Sequence, residues 1–325
     1  MSSFVDIVNG FEKKKVAVIG DVMLDEYVFG DVSRISPEAP IPIVKVNRNV
    51  YSPGGASNTA VNIKSLGGEA YLIGLVGNDY NGRMLKEILQ NSGINIHGLV
   101  ESSLRKTTLK TRIVAHKQQL IRLDNEEDDY LNHILEGQII AVVERVIRDC
   151  DIVVVSDYAK GVVSKNLMSH LVPLVRSANK TLIIDPRPQN KSFYKGCDFI
   201  TPNLSEAKAM VGPHEDYKEI GKKLLEEFNC NVLLTRGEHG MSLFSKPTSM
   251  DFSCEDFDAI TKEVYDVTGA GDTVVAALAL SLAAGASYAE AVEISNHAAG
   301  IVVGKFGSAT TSRGELIKAL NNSKT

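Results

Sequence analysis

Three features of the sequence predict an α/β protein with a mostly parallel sheet covered on both faces and a small β-sheet projecting from it. Short runs of β-branched and aliphatic residues alternate with helical patterns. Two Gly-rich turns, far apart in the chain, each open a helix. Two extended segments interrupt the alternation. Strands that are apolar throughout, rather than at every second position, belong to sheets buried on both faces by helical crossovers. In such sheets ligands bind beyond the carboxyl ends of the strands.

The strands are expected over 16–20, 70–76, 151–156, 181–185, 199–201 and 232–235. Helical patterns lie between them over 56–66, 82–91, 131–148, 165–178, 205–211 and 218–228. Polar residues collect where the strands end: Asp21, Asp157, Asp185, Asn203 and Thr235-Arg-Gly237. Residues 27–46 are extended, because Pro37, Pro40 and Pro42 forbid a helix. Residues 107–124 read as two alternating strands around Ala115-His-Lys-Gln118. Both segments follow strand–turn motifs that carry polar groups, so a lid near 22–50 and 107–125 is expected; a surface hairpin is the alternative. No repeat, linker or shift in composition divides the chain, so residues 1–325 are expected to form one domain.

Composition removes several classes of function. The chain has 325 residues, 44% hydrophobic and 23% charged, with a net charge of −5, which argues against general nucleic-acid or membrane-surface binding. Cys150, Cys197, Cys230 and Cys254 are scattered without a Cys-x-x-Cys pair and read as thiols of a reducing compartment. No signal-peptide pattern opens the chain, and the apolar run 274–284 is too short to span a bilayer. A cytoplasmic protein is expected. The histidines are dispersed, and no Ser/His/Asp triad or His-rich metal site stands out.

The most informative stretch is Glu263-Val-Tyr-Asp-Val-Thr-Gly-Ala-Gly-Asp272, which runs into an apolar helix. A Gly-rich turn at a helix start aims backbone N–H groups and the positive end of the helix dipole at one spot suited to an anion. The turn lacks the Gly-Lys-Ser/Thr of a P-loop and the Gly-x-Gly-x-x-Gly of a dinucleotide fold. A carboxylate there repels a phosphate that is merely bound, whereas a general base acting on an attacking hydroxyl needs that place. Asp272 thus points to phosphoryl transfer to an alcohol, although an Asp capping a helix is the plainer reading of the motif alone.

Other motifs are individually weaker. Ser52-Pro-Gly-Gly-Ala-Ser-Asn58 offers close backbone approach at Gly54 and Gly55 and an amide at Asn58, which suits a polyol, or a plain turn and cap. In Thr201-Pro-Asn-Leu-Ser-Glu206, Asn203 and Glu206 share the first turn of a helix and could hold a hydrated Mg²⁺, but a capping box is preferred. Thr235-Arg-Gly-Glu-His-Gly240 would place a hydroxyl and flexible backbone near a nucleotide, or form a hairpin turn, and Asn296-His-Ala-Ala-Gly300 would place small residues beside a flat base, or serve close helix packing. Arg34, Lys45, Lys110, Arg112, Lys117 and Arg122 are basic groups in and around the lid. Lys110 and Arg112 share one strand face and could clamp a phosphate on the substrate.

With these pieces in place the chain resembles the ribokinase-like (PfkB) carbohydrate kinases over almost its whole length. The resemblance rests on Gly54-Gly55…Asn58 and Asp266-Val-Thr-Gly-Ala-Gly-Asp272, in the right order and separation. Within that family it looks most like the bacterial heptose 7-phosphate kinases, on Ser33-Arg-Ile-Ser-Pro-Glu-Ala-Pro40, Gln119-Leu-Ile-Arg-Leu-Asp124, Ser156-Asp-Tyr-Ala-Lys-Gly161, Thr201-Pro-Asn-Leu-Ser-Glu206 and Val264-Tyr-Asp-Val-Thr-Gly-Ala-Gly-Asp-Thr273.

The resemblance implies a three-layer sandwich with a β lid, and ATP-dependent phosphorylation of D-glycero-β-D-manno-heptose 7-phosphate at O1. The product would be the 1,7-bisphosphate, on the route to ADP-heptose and the lipopolysaccharide core. It further implies Asp272 as base, with Gly269, Ala270 and Gly271 as the anion hole. ATP and Mg²⁺ would lie at Asn203, Leu204, Ser205 and Glu206, with Thr235, Gly237, Gly240 and Asn296 completing the nucleotide site and Glu206 nearest the metal. Asp21, Arg34, Gly54, Gly55, Asn58, Lys110 and Arg112 would serve the sugar phosphate. A homodimer through the lid strands is implied as well. Many relatives add a nucleotidyltransferase domain with a His-x-Gly-His motif, absent here, so a stand-alone kinase is expected. Arg187-Pro188 and His297 depart from the usual Lys-Gly and from a small residue near the adenine. A ribokinase-like kinase of another sugar, sugar phosphate or nucleoside, or a non-catalytic sugar-binding protein, are the alternatives.

Overall fold

The structure is a computed structural model and describes residues 3–322 apart from 117, 246–251, 261–264, 306 and 308. Helix α1 (Phe4–Asn9) leads into β1 (Lys15–Gly20), after which a long hairpin, β2 (Val22–Ile35) and β3 (Pro42–Gly55), leaves the body of the protein. The chain returns through α2 (Ala56–Ser65), β4 (Glu69–Gly77), α3 (Tyr80–Asn91) and β5 (Asn95–Ser102). It then leaves again as β6 (Thr108–Ala115) and β7 (Gln118–Asn125). A βα run follows: α4 (His133–Val146), β8 (Ile152–Ser156), α5 (Lys165–Ser177), β9 (Thr181–Asp185), β10 (Phe199–Ile200), α6 (Leu204–Val211), α7 (Tyr217–Phe228) and β11 (Asn231–Thr235). The hairpin β12 (Met241–Ser245) and β13 (Ser253–Phe257) and the helices α8 (Ala270–Ala283), α9 (Tyr288–Val302) and α10 (Arg313–Asn322) complete the described chain.

The main sheet has nine strands in the order β13-β12-β11-β10-β9-β8-β1-β4-β5. Its strands run parallel from β11 to β5, and β12 and β13 pair antiparallel at the other edge. Strand periodicity makes the two cores. Val16 and Val18 of β1 enter a cluster with α1, α2, α3, α8, α9 and α10, while Ala17 and Ile19 enter one with α4, α5, α6 and α7. The result is the three-layer sandwich expected.

Strands β5, β12 and β13 were not expected from the pattern. β5 (Asn-Ile-His-Gly-Leu-Val-Glu-Ser) and β13 (Ser-Cys-Glu-Asp-Phe) are outermost and partly exposed, so they lack the apolar run of an inner strand. The expected lid exists as a second, four-stranded sheet ordered β3-β2-β6-β7. Its hairpin is longer than expected, and Ser52-Pro-Gly-Gly55 ends β3 rather than forming a free turn. Helix α8 is buried from Asp272 through Ser281, which accounts for its apolar character all round.

Candidate active site

The carboxyl ends of the parallel strands and the start of α8 meet beneath the lid. Gly269 caps α8 in the left-handed region (φ 78°, ψ 1°), with no side chain contributing to the cap. Its conformation lets the backbone turn sharply into the helix, and the first helical N–H, that of Ala270, donates back to the Val267 carbonyl at 3.2 Å. Asp272, in that first turn, is 5% exposed. Its Oδ2 accepts from Asn58 Nδ2 at 2.7 Å, and its Oδ1 from Thr59 Oγ1 at 2.8 Å and Tyr158 OH at 3.0 Å. Burial raises the pKa of this carboxyl, and the three donors oppose the rise.

Two cavities meet at this helix end. One, about 560 Å³, is polar and lies under the lid; Gly54, Gly55, Asn58, Lys110, Arg112, Gly269, Gly271 and Asp272 line it, with Asn203, Glu206 and Thr235 at its far side. The other, about 500 Å³, shares Asn203, Thr235, Gly271 and Val274 with the first. Leu204, Ser205, Gly237, Gly240, Ala270 and Asn296 line it beside the apolar Met241, Ile260, Val267, Ala299 and Val303. Of the residues expected at the sugar, Gly54, Gly55, Asn58, Lys110 and Arg112 line the first chamber; of those expected at the nucleotide, Leu204, Ser205, Gly237, Gly240 and Asn296 line the second, Asn203 and Thr235 line both, and Glu206 lines only the first.

Several expected roles change in the structure. Asp21 does not line either cavity: it is 2% exposed, and its carboxylate accepts the backbone N–H groups of Tyr158, Lys160 and Val162 at 2.8–3.0 Å. It fastens the loop after β8 that delivers Tyr158 to Asp272. Arg34 and Lys45 are exposed on the outer lid, away from both chambers, while Lys117, Glu263 and Val264 lie outside the described residues. Arg112 pairs with Asp25 at 2.8 Å and stacks on Tyr27, so its charge is already engaged.

Asn58 reaches the Asp272 carboxylate as well as the cavity. Glu206 and Asn203 form the capping box: Asn203 Oδ1 accepts from Glu206 N at 2.9 Å, and Glu206 Oε2 from Asn203 N at 3.0 Å. His297 is buried on α9 with Nε2 3.4 Å from Glu293 and does not line the second chamber.

Thr59, Tyr158, Asp25, Lys160, Glu126, Asp185 and Arg187 join the site although the motifs did not assign them a role. Lys110 and Lys160 both contact Glu126 at 2.7 Å, and Arg122 pairs with Asp124 at 2.8 Å. Arg187 pairs with Glu206 and lies over the Tyr158 ring, 4.6 Å from its centroid. Asp185 has its pKa raised well above the usual carboxylate range by burial, with Glu206 and Asp272 as further causes. That is the environment a hard cation or a cationic side chain relieves. Among the described residues no group of three or more His, Cys, Asp or Glu is arranged to hold a metal by itself.

A three-layer sandwich with a small β-sheet over a polar chamber, and a second chamber adjoining it, is compatible with a two-substrate enzyme. The pfkB family carbohydrate kinase model matches residues 13–313, and the chain belongs to that family. Among similar curated proteins, the bifunctional protein HldE of Desulfatibacillum aliphaticivorans is 41% identical over 311 residues, covering 94% of this chain and 63% of that protein. The bifunctional protein HldE of Shewanella denitrificans is 44% identical over 317 residues, 95% of this chain and 64% of the relative. The chain therefore spans under two thirds of the length of these relatives. Among solved structures, the ribokinase of Arabidopsis thaliana complexed with ribose and ATP superimposes with a TM-score of 0.74 at 20% identity, covering 95% of this chain and 99% of that one.

Proposed function

We propose that this kinase transfers the terminal phosphoryl group of ATP to O1 of D-glycero-β-D-manno-heptose 7-phosphate, forming the 1,7-bisphosphate for ADP-heptose and lipopolysaccharide-core synthesis. The observation that carries phosphoryl transfer is Asp272, a buried carboxylate in the first turn of α8, in the glycine turn whose Gly269 lines the polar chamber and whose Gly271 lines both. Heptose rests on the matching motifs and on the HldE relatives over the region shared with them.

In this mechanism the acceptor hydroxyl gives its proton to Asp272, its oxygen bonds to the γ-phosphorus, and the bond from that phosphorus to the leaving ADP oxygen breaks. The backbone at Gly269 and Gly271, which lines the polar chamber, would meet the charge that develops on the transferred group, whereas the Ala270 N–H donates to the Val267 carbonyl at 3.2 Å. The apolar wall of Met241, Ile260, Ala299 and Val303 suits the base, with Asn203, Thr235, Gly237, Gly240 and Asn296 around it. Asp185 and Glu206 are the carboxylates that would face a nucleotide-borne Mg²⁺, which supplies charge neutralisation between the phosphates.

We further read the chain as one kinase domain that pairs through its lid. Ile35, Val46, Val50, Leu120, Ile121 and Leu123 leave apolar surface exposed on the lid strands, which favours a partner there. Among the described residues no helix is long and apolar enough to cross a membrane.

The test is ATP consumption with heptose 7-phosphate beside ribose, fructose 6-phosphate and adenosine, the product position read by phosphorus NMR. Turnover confined to the heptose, at O1, is expected. Preference for another acceptor would retain the kinase and discard the pathway, and sugar binding without turnover would favour a binding protein. Light scattering across a dilution series tests the dimer.

A further inference from the structure

Phosphoryl transfer needs positive charge where the two chambers meet, and the side chains there are mainly acidic. Asp185, Glu206 and Asp272 line that part of the polar chamber. Its other cations face the lid and are committed there: Arg112 to Asp25, Lys110 and Lys160 to Glu126, and Arg122 to Asp124. In the nucleotide-side chamber Arg236 stacks on Tyr217 at 4.4 Å and lies 3.4 Å from Asp256. Among the described lining residues Arg187 is the cation between these groups.

Its contacts join both halves of the reaction. Arg187 Nη1 pairs with Glu206 Oε1, whereas Glu206 Oε2 accepts the Asn203 N–H at 3.0 Å. One oxygen of Glu206 is thus held by the α6 cap, and the other is a resting place for the guanidinium. The guanidinium carbon lies 4.6 Å from the Tyr158 ring centroid, and the hydroxyl of that ring donates to Asp272 at 3.0 Å. Glu206 holds the cation on the nucleotide side, and the Tyr158 ring keeps it one residue from the base.

Resting on the kinase reading above, we propose that Arg187 is a catalytic residue: it leaves Glu206 Oε1 and meets the oxygens of the phosphoryl group in transfer. It exchanges no proton. The bond made is acceptor oxygen to phosphorus, the bond broken is phosphorus to the ADP oxygen, and the proton goes to Asp272. A planar guanidinium fork matches two phosphoryl oxygens in one fixed geometry, whereas an ammonium acts as a point charge.

The experiment compares R187M and R187K with wild type in turnover, in Kd for ATP by calorimetry, and in Kd for ADP–aluminium fluoride with the acceptor bound. For R187M, kcat is expected to fall by about 10³-fold, the range of cations acting on a transferring phosphoryl group. Its Kd for ATP should stay within about threefold while ADP–aluminium fluoride weakens at least about fiftyfold. R187K should fall between R187M and wild type in kcat at the wild-type melting temperature, and it decides the matter should R187M not fold. A kcat within about fivefold of wild type in either variant overturns the proposal. An equal loss in ATP affinity and in kcat/KM also overturns it, making Arg187 a ground-state nucleotide ligand. Wild-type enzyme inert towards every acceptor would sink the function reading, and the role of Arg187 with it, whereas active wild type with undiminished variants sinks only Arg187.

Discussion

Replacing Tyr158 by Phe removes one hydroxyl and leaves the ring under Arg187. That hydroxyl is one of three donors to Asp272, at 3.0 Å, beside Thr59 at 2.8 Å on the same oxygen and Asn58 at 2.7 Å on the other. Burial favours the protonated carboxyl and the donors favour the ionised one. A hydrogen bond to a charged group contributes about 1.5–3 kcal/mol, and with Thr59 still on the same oxygen the lower end applies. About 1.4 kcal/mol corresponds to tenfold in the ratio of protonated to ionised base.

The sign follows from the base being active when ionised. Activity is lost as pH falls through the carboxyl's titration, and losing a donor moves that titration to higher pH. Y158F should therefore show about tenfold lower kcat/KM than wild type on the acid limb, and under threefold lower on the plateau. The assay is kcat/KM from pH 5 to 9 for both enzymes, with melting temperatures as a fold control. Superimposed acid limbs would refute the idea that Tyr158 helps hold Asp272 ionised.

Asp272→Asn should lower kcat by about 10³-fold or more, with ATP and sugar affinities within about threefold; calorimetry beside turnover checks this, and near-normal turnover would remove Asp272 as base. Arg112→Ala strands Asp25, which is 4% exposed, so urea unfolding should show a loss of about 3 kcal/mol, and the phosphorylated acceptor should weaken more than its unphosphorylated analogue. Gly55→Ala should destabilise by about 2–4 kcal/mol in the same measurement, because a Cβ there lies 2.5 Å from the Asp21 carbonyl oxygen at φ +56°. Asp157 is pushed up to about 6 by burial and then by Asp21, so the folded protein holds that proton at pH values where an unfolded aspartate has released it. Stability from this group is present at low pH and lost as pH rises from about 4 to about 6, and Asp157→Asn should flatten that part of the curve in urea unfolding at pH 4.5, 5.5 and 6.5.

The inner strands were legible because a strand buried on both faces has few options: Val16-Ala-Val-Ile must be apolar throughout to serve the cores above and below it. Edge strands β5 and β13 carry no such demand and were missed. At the site, glycines that the backbone or the space demands were visible: Gly269 and Gly55 with their positive φ, and Gly54, where a Cβ would lie 2.8 Å from Asp25 Oδ2. Residues that act through side-chain contact across the fold were not. Thr59 and Tyr158 lie 213 and 114 positions from Asp272, and nothing local in either marks it as a donor to that carboxylate. Asp21 misled for the related reason that a carboxylate at a strand end reads the same whether it faces a ligand or three backbone amides.

The lid-side chamber explains why charge alone did not identify the acceptor. Each of Lys110, Arg112, Arg122 and Lys160 is already matched by Asp25, Asp124 or Glu126. A phosphate that enters takes a cation from a carboxylate, so one ion pair replaces another and little net attraction results unless the released carboxylate finds new donors. Sugar hydroxyls are such donors. An unphosphorylated polyol would leave the existing pairs intact and gain little. A phosphate on an apolar scaffold would strand Glu126 or Asp124 without a partner. A ligand carrying both a phosphate and several hydroxyls satisfies cations and carboxylates together, and among the acceptors compared that description fits a sugar phosphate best.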